Sequence, residues 1–523
     1  MRAEAYPLVG GMDIVSPQSQ VSKGDVLLAY NYVPTRYGLR RSGHYERFDG
    51  QTAPSSLPSS DAVEQAAVEA QRALIAAVPG AGPVRGVAQL NDTIYAWRDN
   101  VGQTEARMYQ ATGSGWSEVA TFTTAAYPAG GKYEHVVHNF GGHTGTKSLY
   151  VVTGVGKAFE WDGTTLTLIT TGMTTDTPTH LAAHISYLFL AFPGGSLQWS
   201  PTGNPTGVWT PVIGAGEIGI GEEITVLNPT VGGSLFVGGA TKTSILQGRE
   251  PAQFDLREHS QDLGVSAYSL AEFGDLIFMS NMGITTLGAT EAFGDFEHNS
   301  ISNKIQPYID SVTNIVGGGM DARNNHYWLL YNLNSTTEYI CGSFDNNNRF
   351  RGFTVGGFGI DLYCFESLKV SGETRLFAGG ADGFVYEINK GASADGEAVD
   401  SILKLPYIDS GIPLQRKRYF RAIAEVDSSG DLDLGFAYEL NYGEIETPNS
   451  SAFDFTVSGG GGIWRVSRYG EFSWSKAYVG RLRAKLTGTG ANISLSFSSR
   501  HTYEPPYTLQ TVSFYYEPRR LER

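Results

Sequence analysis

One theme recurs along most of the chain: a turn, a short apolar and aromatic segment, a glycine-containing turn, and a second short segment. Seven such first segments are Ile94–Trp97, Leu149–Val152, Leu188–Ala191, Leu235–Gly238, Leu276–Met279, Tyr327–Leu330 and Leu376–Gly379. Their starts are roughly 40–55 residues apart, the period of a four-stranded propeller blade. The spacing therefore predicts an all-β, propeller-like main domain, with a set of packed sandwiches as the alternative.

Composition supports strands joined by tight turns. The 523 residues include 65 Gly, 28 Tyr and 26 Phe, and glycine favours turns whereas aromatic residues favour strands. Charged residues make up only 17%, against about a quarter in a typical soluble domain. A surface covered by neighbouring subunits would explain this, and so would a large β protein with polar uncharged outer faces.

Changes in composition and periodicity divide the chain into five parts. Residues 1–60 are irregular and predict an extended N-terminal arm, and residues 61–86 predict a helix from Asp61 to about Ala77 followed by a linker. The propeller-like domain is expected over 87–395. Alternating strands over 396–518 predict an antiparallel β-sandwich, and residues 519–523 a basic tail.

Motifs for chemistry are weak, and no enzymatic activity, cofactor or metal is predicted. Gly214–Gly219 matches GxGxxG, but no helix follows and acidic residues surround it. His180 and His184 lie too far apart on a strand to bind one ion. The cluster His135, His138 and His143 would need a chain reversal to do so. Cys341 and Cys364 form no CxxC pair and are expected to be reduced, buried thiols.

Two basic and aromatic clusters are candidate docking sites. The candidate residues are Arg40, Arg41, Tyr45, Arg47 and Phe48 in the arm, and Arg416, Lys417, Arg418 and Arg421 at the start of the sandwich. Arginine and tyrosine often anchor interfaces, and basic clusters in a chain of net charge −15 suit acidic partner surfaces. The alternative is that these arginines pair internally with neighbours such as Glu46 or Asp49.

Seven further stretches are distinctive: Gly10–Pro17, Gly24–Tyr32, Gly38–Gly50, Val78–Gly86, Gly283–Asp295, Gly379–Ile388 and Ala394–Gly396. Together they resemble tail nozzle or neck (head-tail connector) β-propeller proteins of short-tailed bacteriophages. The resemblance implies a structural virion protein of the tail, made in the bacterial host cytoplasm. It also implies a homo-oligomeric ring, usually a hexamer, attached to adaptor and portal proteins, with tail fibre or spike proteins as further possible partners.

Such a ring would retain the genomic DNA and then conduct it during ejection. An acidic lumen would let DNA pass without tight binding, because it gains nothing from counterion release. No secretory signal or membrane-spanning run is visible in the sequence. In this interpretation the arm gains order by lying on a neighbour, so deleting residues 1–58 should leave the propeller folded and abolish assembly.

Two other functions fit a propeller. The first is a polysaccharide-binding or polysaccharide-degrading protein of the virion, in which Trp97, Trp161, Trp199 and Trp209 would stack on sugars. The second is a soluble scaffold of the WD type, which would be monomeric and would give the arm no role.

Overall fold

The computed structural model of the chain describes residues 2–52, 62–141, 145–288, 300–428, 432–443, 453–457, 479–503 and 506–521. Asp61, His143, residues 289–295 of one family-like stretch, and Arg523 lie outside these ranges. Strands dominate the described residues, and the fold is all-β as predicted.

The N-terminal arm forms five short strands. These are β1 (Arg2–Pro7), β2 (Leu28–Tyr30), β3 (Tyr32–Pro34), β4 (Leu39–Arg41) and β5 (Tyr45–Phe48). A single helix of three turns follows, α1 (Ala62–Arg72), which ends about five residues before the predicted end.

Seven antiparallel sheets then follow in order, and their second strands contain the seven segments identified from the sequence. The first three sheets are β6–β9 (Ala81–Leu90, Thr93–Asp99, Ala106–Thr112, Gly115–Glu118), β10–β13 (Glu134–His138, Ser148–Val152, Phe159–Trp161, Leu166–Leu168) and β14–β17 (His180–His184, Tyr187–Phe192, Ser196–Trp199, Gly216–Gly219). A short helix, α2 (Ala120–Thr123), lies between the first two sheets.

The remaining sheets complete the series. They are β18–β21 (Ile224–Pro229, Leu235–Gly239, Thr243–Gln247, Asp255–Ser260), β22–β24 (Ala271–Glu272, Leu276–Ser280, Gly283–Thr286), β25–β28 (Ile315–Asp321, His326–Leu333, Thr336–Phe344, Phe350–Gly357) and β29–β31 (Leu362–Val370, Glu373–Gly380, Val385–Ile388). The helix α3 (Gln306–Ile309) precedes the sixth sheet. Six sheets thus have four strands, counting β5 in the seventh, and the fifth has three within the described residues.

The seven sheets are the blades of a propeller. The first strand of each blade packs toward its neighbours: β14 contacts β10 and β18, and β29 contacts β25 and β6. The contact between β29 and β6 joins the last blade to the first and closes the ring. Apolar clusters fill the spaces between blades, for example Trp97 and Phe159 between the first and second.

The last blade is completed by the N-terminal arm. Strand β5 pairs antiparallel with β31, placing Tyr45 opposite Ile388 and Phe48 opposite Val385. The remaining strands of the arm join the C-terminal domain: β1 and β4 pair with β39, β3 pairs with β4, and β2 lies between β28 and β32.

The C-terminal domain is a two-layer sandwich. Its strands are β32 (Val399–Lys404), β33 (Gln415–Asp427), β34 (Leu432–Leu440), β35 (Phe453–Val457), β36 (Val479–Lys485), β37 (Thr489–Gly490), β38 (Ile493–His501) and β39 (Thr508–Leu521). One layer has the order β3-β4-β39-β33-β36, and the other has the order β2-β32-β38-β34-β35. Between them lies a core that includes Tyr419, Phe436, Phe497 and Phe514.

Two expectations about the chain ends differ from the structure. The arm was expected to be extended and to become ordered on a neighbour, whereas residues 2–50 lie on their own chain, because their short strands find partners more than 300 residues downstream. Part of the expected basic tail, Arg519–Leu521, belongs to strand β39. Among the described helices, none combines the length and apolarity needed to cross a membrane.

Candidate functional sites

Tyr45 and Phe48 of the arm contact their own chain. Tyr45 is buried, and its hydroxyl donates to the carbonyl oxygen of Phe358 at 3.2 Å. Phe48 is half-buried, with its ring edge-on to Phe377 at 5.0 Å between centroids. Both rings fix β5 to the last blade, so a docking role for them is not needed to explain their presence.

The arginines of the arm divide into internal and exposed residues. Arg41 is buried, and its Nη2 donates to the carbonyl oxygen of Ala392 at 2.6 Å. Arg47 is ion-paired with Asp395 at 2.6 Å. Internal pairing, the alternative weighed for the sequence, therefore describes Arg47, although its partner is distant in sequence rather than Glu46 or Asp49. Arg40 keeps an exposed side chain.

The second cluster lies on strand β33, where alternate residues face opposite sides. Arg416 and Arg418 are exposed, whereas Lys417 between them points into the sandwich and is fully buried. The Lys417 ammonium donates to three carbonyl oxygens, those of Ile412, Gln415 and Ala491, at 2.8, 2.9 and 2.7 Å. Lys417 is thus a structural residue, and burial lowers its pKa.

A bulge in β33 brings Arg421 back to the outer side. The register against β39 shifts between Tyr419 and Arg421, so Arg421 is exposed and Ala422 is buried. The Arg421 guanidinium lies over the Tyr515 ring at 4.3 Å from its centroid, a cation–π contact that orders the long side chain.

Neighbouring strands enlarge this cluster into a continuous surface. Strand β36 pairs with β33 and exposes Arg481, Arg483 and Lys485, and β39 exposes Arg519. We call this surface the basic face, defined by Arg416, Arg418, Arg421, Arg481, Arg483, Lys485 and Arg519. Described carboxylates on the outer side of these strands include Glu425, 3.7 Å from Arg481, and Glu517, 3.4 Å from Arg519, and Asp427 follows two residues after Glu425.

The basic face combines a dense positive charge with regular spacing. Outward residues on one strand repeat about every 6.6 Å, and adjacent strands are about 4.8 Å apart. The seven cations outnumber the three described carboxylates on this side of the strands, so the face carries a net positive charge that attracts an acidic surface. Sequence reasoning found Arg416, Arg418 and Arg421 as docking residues, placed Arg519 in a basic tail, and missed the three cations on β36.

A second site lies where the inner strands of the blades converge. A cavity of about 240 Å³ is lined by residues of β10, β14, β18, β25 and β29, together with Lys132 and Tyr268. The Lys132 ammonium donates to the carbonyl oxygen of Val316 at 2.7 Å and lies 3.8 Å from the centre of the Tyr268 ring. We call this space the axial cavity.

Titratable groups meet in the axial cavity. Burial, reinforced by the charge of Glu134, raises the pKa of Glu366 to about 8, and burial lowers the pKa of Lys132 to about 8. The same cause lowers the pKa of His135 to about 4, and its Nδ1 lies 3.9 Å from Glu366. The cavity can hold a proton on Glu366 near neutral pH, because ionising this carboxyl group is costly there.

The histidines considered as metal ligands form no metal site within the described residues. His180 and His184 are both buried on β14, and His180 Nδ1 lies 2.7 Å from Glu134. Among the described residues, no three His, Cys, Asp or Glu side chains come close enough to hold a metal ion. Cys341 and Cys364 are buried free thiols, as predicted.

Of the four tryptophans considered for sugar stacking, three are buried in the protein interior and one is half-buried. Trp97, Trp161 and Trp199 are buried. Trp209 is half-buried against an apolar cluster between the second and third blades, with its indole N–H donating to the carbonyl oxygen of Pro205. Burial leaves Trp97, Trp161 and Trp199 with little exposed surface on which a sugar could stack.

Comparison with known proteins gives no sequence match and only low structural similarity among the solved structures described below. No protein family model matches the chain, and no curated protein matches it. The solved structures it is similar to include the computationally designed Ika8 protein, at 11% identity over 60% of this chain and 98% of that one, with a TM-score of 0.35.

Two natural structures give similar values. YCF48 bound to D1 peptide is 13% identical over 60% of this chain and 94% of that one, with a TM-score of 0.38. Virginiamycin B lyase from Staphylococcus aureus is 9% identical over 58% of this chain and 94% of that one, with a TM-score of 0.36. Similarity this low says nothing about activity, ligand or partner.

Proposed function

We propose that this protein is a structural subunit of a bacteriophage tail nozzle. Several copies, six by analogy with the family that the sequence resembles, form a ring below the adaptor and portal proteins. The ring retains the genomic DNA and conducts it during ejection. The motif resemblance in the arm and the blades, together with the propeller fold, supports this assignment.

The observation that carries the proposal is the basic face. A chain with a formal net charge of −15 concentrates seven exposed cations on three adjacent strands of one sheet. Like charges packed together repel one another, and they are tolerated best where a partner of opposite charge covers them. A subunit that works by docking to other proteins explains this arrangement.

The remaining acidic surface fits a conduit for DNA. A ring of six copies would carry roughly 90 negative charges, and an acidic wall repels the phosphate backbone. DNA then slides past without being held, which suits rapid ejection. Adaptor, portal and fibre or spike proteins are the partners that this position in the particle implies.

Electron microscopy of the purified full-length protein tests the proposal. We expect closed rings of uniform size in negative stain at low salt, and the same ring at the tail of the phage particle after immunogold labelling. Solitary molecules at every protein and salt concentration, or turnover of host surface polysaccharide by the purified protein, would overturn it.

A further inference from the structure

We propose that the basic face docks onto an acidic sector of the propeller in the neighbouring copy of the same chain. This inference rests on the proposed function, because it names the partner surface within the ring. It is carried by two surfaces of opposite charge on one molecule, each with exposed apolar side chains beside it.

The acidic sector lies on the third, fourth and fifth blades. Residues 216–275 contain nine carboxylates and only three cations. Seven of the carboxylates are exposed and define the sector: Glu217, Glu223, Glu250, Asp255, Glu258, Asp262 and Glu272. Glu217 lies on β17 and Glu258 on β21, the outermost strands of the third and fourth blades.

Positive charge is missing from much of this side of the molecule. The sequence has no lysine or arginine between Lys157 and Lys242, a span of 84 residues that covers most of the third blade. Of the three cations in residues 216–275, Arg257 is paired with Asp255 at 2.8 Å. The sector therefore keeps a clear negative charge toward solvent.

Exposed apolar side chains lie beside both charged surfaces. In the loop between β16 and β17, Val208 is 71% exposed and Val212 is 93% exposed, a few residues before Glu217. On the other surface, Leu414 is 71% exposed immediately before Arg416 and Arg418. Apolar side chains this exposed gain free energy when a partner protein covers them.

The apolar residues favour a protein partner over nucleic acid. A phosphate backbone would satisfy the arginines of the basic face, but it offers nothing to Leu414. The acidic sector of a second copy satisfies both requirements. Because the two surfaces differ, the contact is head to tail, and repeated head-to-tail contacts close into a ring when the rotation between copies permits.

Charge reversal tests the inference. We expect R418E combined with R483E to weaken self-association at least tenfold at 50 mM salt, measured by sedimentation velocity, because two attractive contacts become repulsive. E217K combined with E258K should do the same from the other surface. The matched control is K147E with K369E, two exposed cations outside both surfaces, which should leave association unchanged.

The decisive variant carries all four substitutions at the basic face and the acidic sector. In that chain the charges are exchanged, so opposite charges meet again and the ring should return. An equimolar mixture of the two double variants should also assemble, since each supplies the surface that the other needs. Thermal melting and far-UV circular dichroism show whether each variant is folded, which surface substitutions of this kind normally leave intact.

The outcomes separate the inference from the proposed function. Rings that persist in R418E/R483E would overturn the inference and leave the nozzle assignment standing. A wild-type protein that is monomeric under all conditions would overturn both. Tight binding of labelled duplex DNA by the wild type, lost in R418E/R483E while self-association is unchanged, would replace the second copy with nucleic acid as the partner and overturn the inference.

Discussion

Arg47 and Asp395 are 348 residues apart in the sequence, and their side chains meet at 2.6 Å. Asp395 follows the last blade, and Arg47 lies on the strand that completes it. Arg72 at the end of α1 also lies 3.4 Å from Asp395. One carboxylate thus connects the arm, the helix and the end of the propeller.

Replacing Asp395 with Asn should destabilise the closed propeller by about 2 kcal/mol, because it removes the countercharge of Arg47 and one of the two carboxylates paired with the buried Arg72, the other being Glu69. Urea unfolding followed by tryptophan fluorescence measures the change. Asp400→Asn is the control, since Asp400 and its partner Arg500 are both exposed and such pairs contribute about 0.5 kcal/mol or less. Equal effects of the two substitutions would contradict the assigned role of Asp395.

Removing residues 1–50 should destabilise the whole fold rather than assembly alone. The deletion takes away the fourth strand of the last blade and buried side chains such as Tyr32, Leu39 and Tyr45, and each large buried side chain lost costs about 3–5 kcal/mol. Differential scanning calorimetry should show a lower Tm and a broader transition. A synthetic peptide of residues 1–52 should restore the Tm in part, whereas an unchanged Tm after deletion would refute the role of the arm.

The lowered pKa of buried His44 predicts that the protein loses stability in acid. Burial and the neighbouring Arg41 lower the pKa of His44 to about 3, and its ring nitrogens have no hydrogen-bond partner among the described residues. Below the unfolded pKa near 6.5, only the unfolded state takes up the proton, so stability falls as the pH falls. The loss between pH 7 and pH 5 is about 2 kcal/mol.

The variant His44→Asn should remove that part of the pH dependence. Asparagine tolerates the positive φ of 59° at this position and does not titrate. The free energy of unfolding, compared at pH 7 and pH 5 by urea titration, should fall less in the variant than in the wild type. A parallel fall in both proteins would show that His44 is protonated in the folded state.

The raised pKa of Glu366 predicts the opposite pH dependence, a stability that falls as the pH rises. Its pKa in the folded state is about 8, above the ordinary value of 4.5, so its contribution is greatest in acid and is lost as the pH rises toward 8. Glu366→Gln should therefore become more stable relative to the wild type by about 2.5 kcal/mol between pH 5 and pH 7. Glu373→Gln, at an exposed position on β30, should show no such trend.

The blades could be predicted from sequence because their signal is local. Each second strand is a short run of buried apolar residues followed by a turn, as in Leu276–Ser280 followed by Gly283 at a φ of +122°. Glycine supplies this positive φ at little cost. Strand and turn lie within ten residues of each other, so no long-range information is needed.

The strands of the arm could not be predicted because the residues they pair with lie far away in the sequence. Strands β2, β3 and β4 are three residues long, too short to show a period. What makes them strands is pairing with distant partners: β2 pairs with β32, β4 pairs with β39, and β3 pairs with β4. For the same reason, Arg41 and Tyr45 could not be told apart from exposed interface residues by composition alone.

Only part of the basic face could be predicted from the sequence. Residues 416–418 form a contiguous basic run, but the alternation that turns Lys417 inward is clear only once β33 is known to be a strand buried on one side. Arg481, Leu482, Arg483, Ala484 and Lys485 alternate charged with apolar residues, a two-residue period that identifies an outward basic edge. That these strands are neighbours follows only from the pairing of β33 with β36.

The pairing of β5 with β31 also sets the order in which the molecule can be built. On the ribosome, the first fifty residues emerge long before the strands that receive them, so they wait unpaired while six blades are synthesised. The last blade becomes complete only after translation has passed Ile388, and both sandwich layers only after β39 has been made. A product truncated before Ile388 therefore has a propeller that cannot close, and quality control in the cell can recognise it by its open edge.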